Sequence, residues 1–279
     1  MKTYFFVTAA VSLLLSPVSA FCQQNNPNVE TAKPGPAPRT ADRHPDLTGY
    51  WKSTRDSKFF WHIGKDLPDR KLPFTPTGEA ALKHNQTATK DPESLCIIGG
   101  TPRHNVTNMA FEILQGSRKV AFLYGDGSYR LIPIDAQRKH SEDPDPSFFG
   151  EELGHWEGDT LVIDSIGFKD EKIWIDEYAH PMSDALHVVE RWTRPDADHV
   201  HVETLIDDPK FYTKTFTYSR TWVIGEPDEQ VREFSCSENN VDEEHLGFGP
   251  GPVRKDGTIG YEDPAPLPPP IPRVPAPVK

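Results

Sequence analysis

Acid–base chemistry without a metal asks for carboxylates or imidazoles held away from bulk water, where their pKa values move toward neutrality. Two glutamates of this 279-residue chain answer that description: Glu190 in HVVERWTR and Glu112 in FEILQ. Strand periodicity carries each onto a face of mostly apolar neighbours. His180 and His187 lie close by in sequence, within AHPMSDALHVVERW. Glu190, Glu112, His180 and His187 are therefore the candidate catalytic residues. A buried Glu beside a His suits isomerase, hydratase, cyclase or lyase chemistry. The competing reading for each glutamate is a structural ion pair, with Arg220 or Arg130 as the cation.

Other chemistries find less support. His180, His187 and Glu190 have no established metal-ligand spacing, and in a strand His187 and Glu190 face opposite sides. His199 and His201 share a face with Glu203 that reads as solvent-facing. No metal or other cofactor is expected. The chain lacks a G-x-S-x-G elbow, a Walker loop and a G-x-G-x-x-G turn, so the common hydrolase and nucleotide-binding classes recede. A formal net charge of −12 argues against nucleic acid or an anionic membrane surface as partner.

The elements that must position these residues read as strands. FEILQ–GSR–KVAFLY is a hairpin with a three-residue loop, followed by YGDGSY and RLIPI. That register puts Glu112 with Leu114, Val120, Phe122, Tyr124 and Leu131. HWEGDTLVID is a tight hairpin turning at Glu157-Gly158. The hairpin HVVERWTR–PDADH–VHVETLI admits a loop of four or five residues. Four would set Glu190 against Glu203, a like-charge pair; five sets Arg191 against Glu203. The second is preferred, and it leaves Glu190 alone on the face of Val188 and Trp192. Asp207-Asp208-Pro209 ends the next strand, with Asp208 either a ligand-facing group or a turn residue. FTYSRTWVIG–EPDE–QVREFSCSENN reads as a last hairpin completing the sheet. A short helix is expected over 77–85, capped by Thr77. The segment from Asp135 to Phe149 reads as a loop.

The ends bound the folded body. Residues 1–20 read as a secretory signal peptide with a small-residue site at Val18-Ser19-Ala20, and 21–45 as a disordered leader. Residues 46–246 form the folded domain, and 247–279 a Pro- and Gly-rich tail. A soluble exported protein, periplasmic or secreted and with no membrane insertion after cleavage, is the favoured reading. A lipoprotein anchored at Cys22 is the alternative. Export permits disulfides, and of the three cysteines Cys96 and Cys236 are the natural pair, two buried thiols being the other possibility.

Gly49-Tyr50-Trp51, placed between a leader and a strand-rich chain, resembles the G-x-W that opens lipocalin-like barrels. The resemblance implies a mainly β fold: an antiparallel up-and-down meander closing into a barrel, with the Trp at its base. GHWEGDTLVIDSIGF, HPMSDALHVVERW, IDDPKFYTKTF and CSENN resemble a large uncharacterised family of exported bacterial proteins over Asp46 to Leu246. Its members have Gly-His-Ser where this chain has Gly150-Glu151-Glu152, so any role of that His or Ser is absent here. A barrel of this size holds one small ligand. A partly apolar molecule in the lumen is expected, met by Arg130, Trp192, Tyr218, Arg220, Trp222 and Asp208. The interior aromatics expected around it also include Trp51, Phe122 and Tyr124.

Overall fold

Burial alternates residue by residue along the long strands, as a sheet with one face on a core requires. The computed structural model describes residues 34–54, 59–107, 109–170, 173–238, 240 and 246–251. The expected signal peptide, the first part of the leader and nearly all of the Pro-rich tail lie outside them. Nine antiparallel strands form a nearly closed barrel: β1 (Gly49–Ser53), β2 (Phe111–Gln115), β3 (Lys119–Tyr124), β4 (Tyr129–Pro133), β5 (Glu151–Glu157), β6 (Thr160–Ile166), β7 (His187–Thr193), β8 (His199–Asp207) and β9 (Phe216–Ile224). Their order is β4-β3-β2-β1-β9-β8-β7-β6-β5. The mainly β meander expected from the sequence is therefore the fold.

The seam lies between β4 and β5. It is joined by a bridge from Ile134 to Gly154 and by the Asp135 N–H donating to the Gly154 carbonyl at 2.8 Å. Gly154 eases this approach: a Cβ there would sit 2.5 Å from Ile134 Cδ1, which would have to turn aside, and 3.2 Å from the Pro133 carbonyl oxygen.

Trp51, Phe111, Phe122, Trp192 and Trp222 fill one part of the interior. Trp192 stacks on Trp222 at 5.5 Å between centroids, and Phe111 meets Trp222 edge-on at 5.1 Å. A second cluster gathers Val106, Val188, Ile206, Phe216 and Tyr218. Helix α2 (Gly100–Val106), which sequence reading missed, is buried at every residue. It packs on inward side chains of β3, β7 and β9: His104 on Tyr124, Asn105 on Glu190, and the Pro102 carbonyl accepting from the Tyr218 hydroxyl at 3.2 Å. With only seven residues and a Pro inside, α2 carries no periodic signal; its burial is decided by the barrel around it.

Three local expectations are corrected. The β2–β3 register is shifted by one residue from the expected one: Gln115 pairs with Val120 and Glu112 with Leu123, and the Gly116 N–H donates to the Lys119 carbonyl at 2.9 Å across the turn. A one-residue slip exchanges the faces of a strand. Val120, Phe122 and Tyr124 point inward with Phe111 and Ile113, while Glu112 joins the exposed Leu114 and Leu131 on the outer face. Helix α1 runs Pro76–Ala88, capped by Thr75, whose hydroxyl accepts from the Gly78 N–H. The signal was Pro76, pre-set for the first helical position. Finally, β9 is followed by no further strand among the described residues. β1 takes its other side, so the chain beyond it has no edge to join.

Three other expectations hold, and one boundary is corrected. The β7–β8 register is the five-residue one, with Arg191 opposite Glu203 and Glu190 opposite Thr204. Cys96 and Cys236 form a disulfide with Cα atoms 5.5 Å apart. Residues 135–149 contain no strand or helix. Residues from 34 on, read as leader, lie on the barrel: Arg39 pairs with Asp159, and the His44 ring stacks on Trp156 at 4.3 Å. No helix among the described residues is long and apolar enough to cross a membrane.

Candidate functional site

Strand pairing brings three charged side chains into the barrel from different walls. Arg130 comes from β4, Glu152 from β5 and Glu190 from β7. Arg130 donates from Nε to Glu152 Oε1 at 2.6 Å and from one terminal nitrogen to Glu190 Oε1 at 3.1 Å. Its other terminal nitrogen meets Glu190 Oε2, making that pair bidentate. Glu190 Oε1 also accepts from the Asn105 amide and from the Trp192 indole at 3.3 Å. Glu190 and Arg130 have essentially no solvent exposure.

The charges in this set do not cancel: one guanidinium faces two carboxyls. Burial works against the Arg130 charge, but Glu152 and Glu190 outweigh it and hold its pKa well above the ordinary value. Burial pushes Glu152 up to about 7, against the pull of Arg130 and with the help of Glu190. Glu152 therefore takes up a proton as pH falls through about 7.

Every lumen residue named from the sequence is occupied structurally. Arg220 donates to the carbonyls of Phe60, Asn105 and Val106. Tyr218 is fixed on Pro102, Trp192 on Glu190, and Trp222 lies in the aromatic cluster. Asp208 is a turn residue: it accepts from the Ser183 N–H and hydroxyl, both at 2.7 Å, and from the Lys210 N–H. His187 is half-exposed and bonded to Asp164 at 3.0 Å, which raises its pKa. Glu112 lies on the outside. The four catalytic candidates are thus dispersed, and His180 keeps one ring nitrogen uncommitted.

His180 ends a tight loop between β6 and β7, closed by the Ile175 N–H donating to the His180 carbonyl at 2.9 Å. The loop folds over the buried carboxylate of Asp176. Asp176 Oδ2 accepts from His180 Nδ1 at 2.6 Å and from the Ile63 N–H at 2.8 Å. Its Oδ1 accepts from the N–H groups of Tyr178 at 2.9 Å and His180 at 3.3 Å. Burial opposes ionisation of Asp176, yet His180 and these donors hold its pKa at about 2. An ionised acceptor requires a proton on His180 Nδ1, and in the neutral ring this tautomer has its lone pair on Nε2.

Beside it stands His62, rings 4.8 Å apart and edge-on. His62 Nδ1 accepts from the Gly64 N–H at 2.9 Å, so its proton is on Nε2. Burial drives its pKa down to about 4, keeping the ring neutral. Neither Nε2 has a partner among the described residues, and neither is sealed from solvent. Tyr178, 4.4 Å from His62, and Phe74, 5.8 Å from His180, wall the pair. Asn85 of α1 supports the loop through the Ala179 carbonyl at 3.1 Å.

His62, Asp176 and His180 bring ligand-type atoms within 4.8 Å of one another, the composition of a metal centre. Their bonding argues otherwise. A carboxylate has about four lone-pair directions, and all those of Asp176 are used. Coordination through His62 Nε2 would place its proton on Nδ1, facing the Gly64 N–H. Only His180 Nε2 is ready to bind a metal, where a stable site needs three or four ligands.

Sequence reading missed His62, Asp176, Glu152 and Asn105. His62 lies in an irregular stretch, and nothing local shows that it meets a loop 113 residues later, as its neighbour Ile63 does through Asp176. Comparisons with protein-family models, curated proteins and solved structures find no match to the chain.

Two outcomes follow from the charge set. Glu190→Ala leaves a buried guanidinium short of a partner and should cost about 3–5 kcal/mol in urea unfolding; near-equal stability would contradict the structural role. The folded pKa of Glu152 lies above its unfolded value, so its contribution is fully present below about pH 4.5 and fades as pH rises through about 7. Glu152→Gln should remove that decline from a plot of unfolding midpoint against pH, and an unchanged slope would refute the assignment.

Proposed function

We propose that this chain is an exported β-barrel protein that binds a small, partly apolar molecule at the His62–His180 edge rather than in the lumen. One observation carries the reading. His62 offers an N–H and His180 a lone pair, side by side, while the interior charges and aromatics are committed to one another. Small-molecule sites combine apolar walls with a few convergent polar groups, and Phe74 and Tyr178 supply the walls. Export rests on the signal-peptide reading of residues 1–20, and the Cys96–Cys236 disulfide suits an oxidising compartment.

Fragment screening by ligand-detected NMR on the mature, disulfide-bonded chain tests this. Bound aromatic or alicyclic compounds should shift the His62 and His180 ring resonances, with affinity falling at least tenfold in His180→Ala. Hits that shift only the Trp192 and Trp222 indoles would restore the lumen reading, and a screen without hits would remove both.

A further inference from the structure

We propose that the His62–His180 edge is catalytic: His180 Nε2 takes a proton from the carbon next to a carbonyl, and His62 Nε2–H holds the oxygen of the resulting enolate. This rests on the binding reading above and adds a reaction to it.

The two rings have opposite polarity by construction. Gly64 fixes His62 as a donor, and Asp176 fixes His180 as an acceptor. A substrate spanning them must present an acceptor to one and a proton to the other. A carbonyl oxygen with a neighbouring C–H meets that requirement, and its aromatic or alicyclic remainder would lie against Phe74 and Tyr178.

In the step, the α C–H bond breaks and its proton goes to His180 Nε2, forming an imidazolium. The released electron pair becomes the new C=C bond, and the carbonyl π pair moves to oxygen, where the His62 N–H stabilises it. The imidazolium is stabilised through its Nδ1–H by Asp176, which keeps its charge and its four hydrogen bonds. Returning the proton to the same carbon exchanges hydrogen with solvent; returning it elsewhere along the conjugated system isomerises the substrate. Neither outcome needs an oxidant or a second substrate. His62 serves as a neutral electrophile, a role suited to an imidazole whose burial disfavours the charged form. Asp176 is a positioning residue, since its oxygens face His180 and backbone and not the substrate.

The test follows α-hydrogen exchange of phenylacetone in D2O by proton NMR with the mature, disulfide-bonded chain. Exchange should be faster than in buffer. His180→Asn should slow the catalysed rate by about 100-fold or more, with an unchanged thermal midpoint. His62→Gln, which keeps an N–H, should retain more activity than His62→Phe. Asp176→Asn should lower kcat with KM nearly constant, which a merely unfolded site would not produce. Phenylacetone that shifts the two histidine resonances yet exchanges only at the buffer rate overturns the reaction and leaves the binding reading intact. No shift and no exchange overturns both. Exchange that survives in His180→Asn, or disappears with EDTA, also overturns the assignment.

Discussion

A guanidinium removed from water must find its charge balance inside the protein, and Arg130 finds it in two strands at once. Glu152 reaches it from β5, across the seam where the hydrogen-bond ladder is sparse, and Glu190 reaches it from β7. Asn105 adds α2 to the same set through Glu190. One side chain therefore ties the two edge strands, a central strand and the inserted helix together. A hydrophobic core alone would accept several degrees of closure; a buried cation between two carboxyls accepts few.

That constraint decides where function can reside. Each polar group facing the lumen that reads as a ligand contact in sequence is needed to satisfy another: Arg220 serves three carbonyls, Tyr218 one, and Asp208 a turn. The His62–His180 edge differs because its bonds engage each ring through Nδ1 and leave both Nε2 atoms uncommitted. Four donors on Asp176 make its orientation costly to change. The loop is held from the outside by Asn85 and from within by Ile63.

How much of this is legible in the sequence varies with the range of the interactions. The β7–β8 register follows from avoiding Glu190 against Glu203, a local electrostatic argument, and it places Glu190 inside correctly. The β2–β3 register had no such charge conflict to guide it. Both faces of that hairpin are apolar enough, with Leu114 and Leu131 outside, that a one-residue shift in register moves Glu112 from one face to the other. Glu190 could be flagged as a buried charge because a strand pattern surrounds it. Glu152 and the His62–His180 pair acquire their environments from contacts distant in sequence. Arg130 is legible as a possible partner of Glu190, whereas Glu152 reaches it only across the seam.

The division of labour between a committed interior and a pair of imidazoles with uncommitted Nε2 atoms is most directly tested by nitrogen-detected NMR of the histidine side chains at neutral pH. The account predicts His62 protonated on Nε2 alone and His180 on Nδ1 alone. Finding both rings with the same tautomer, or His62 carrying protons on both nitrogens, would contradict it.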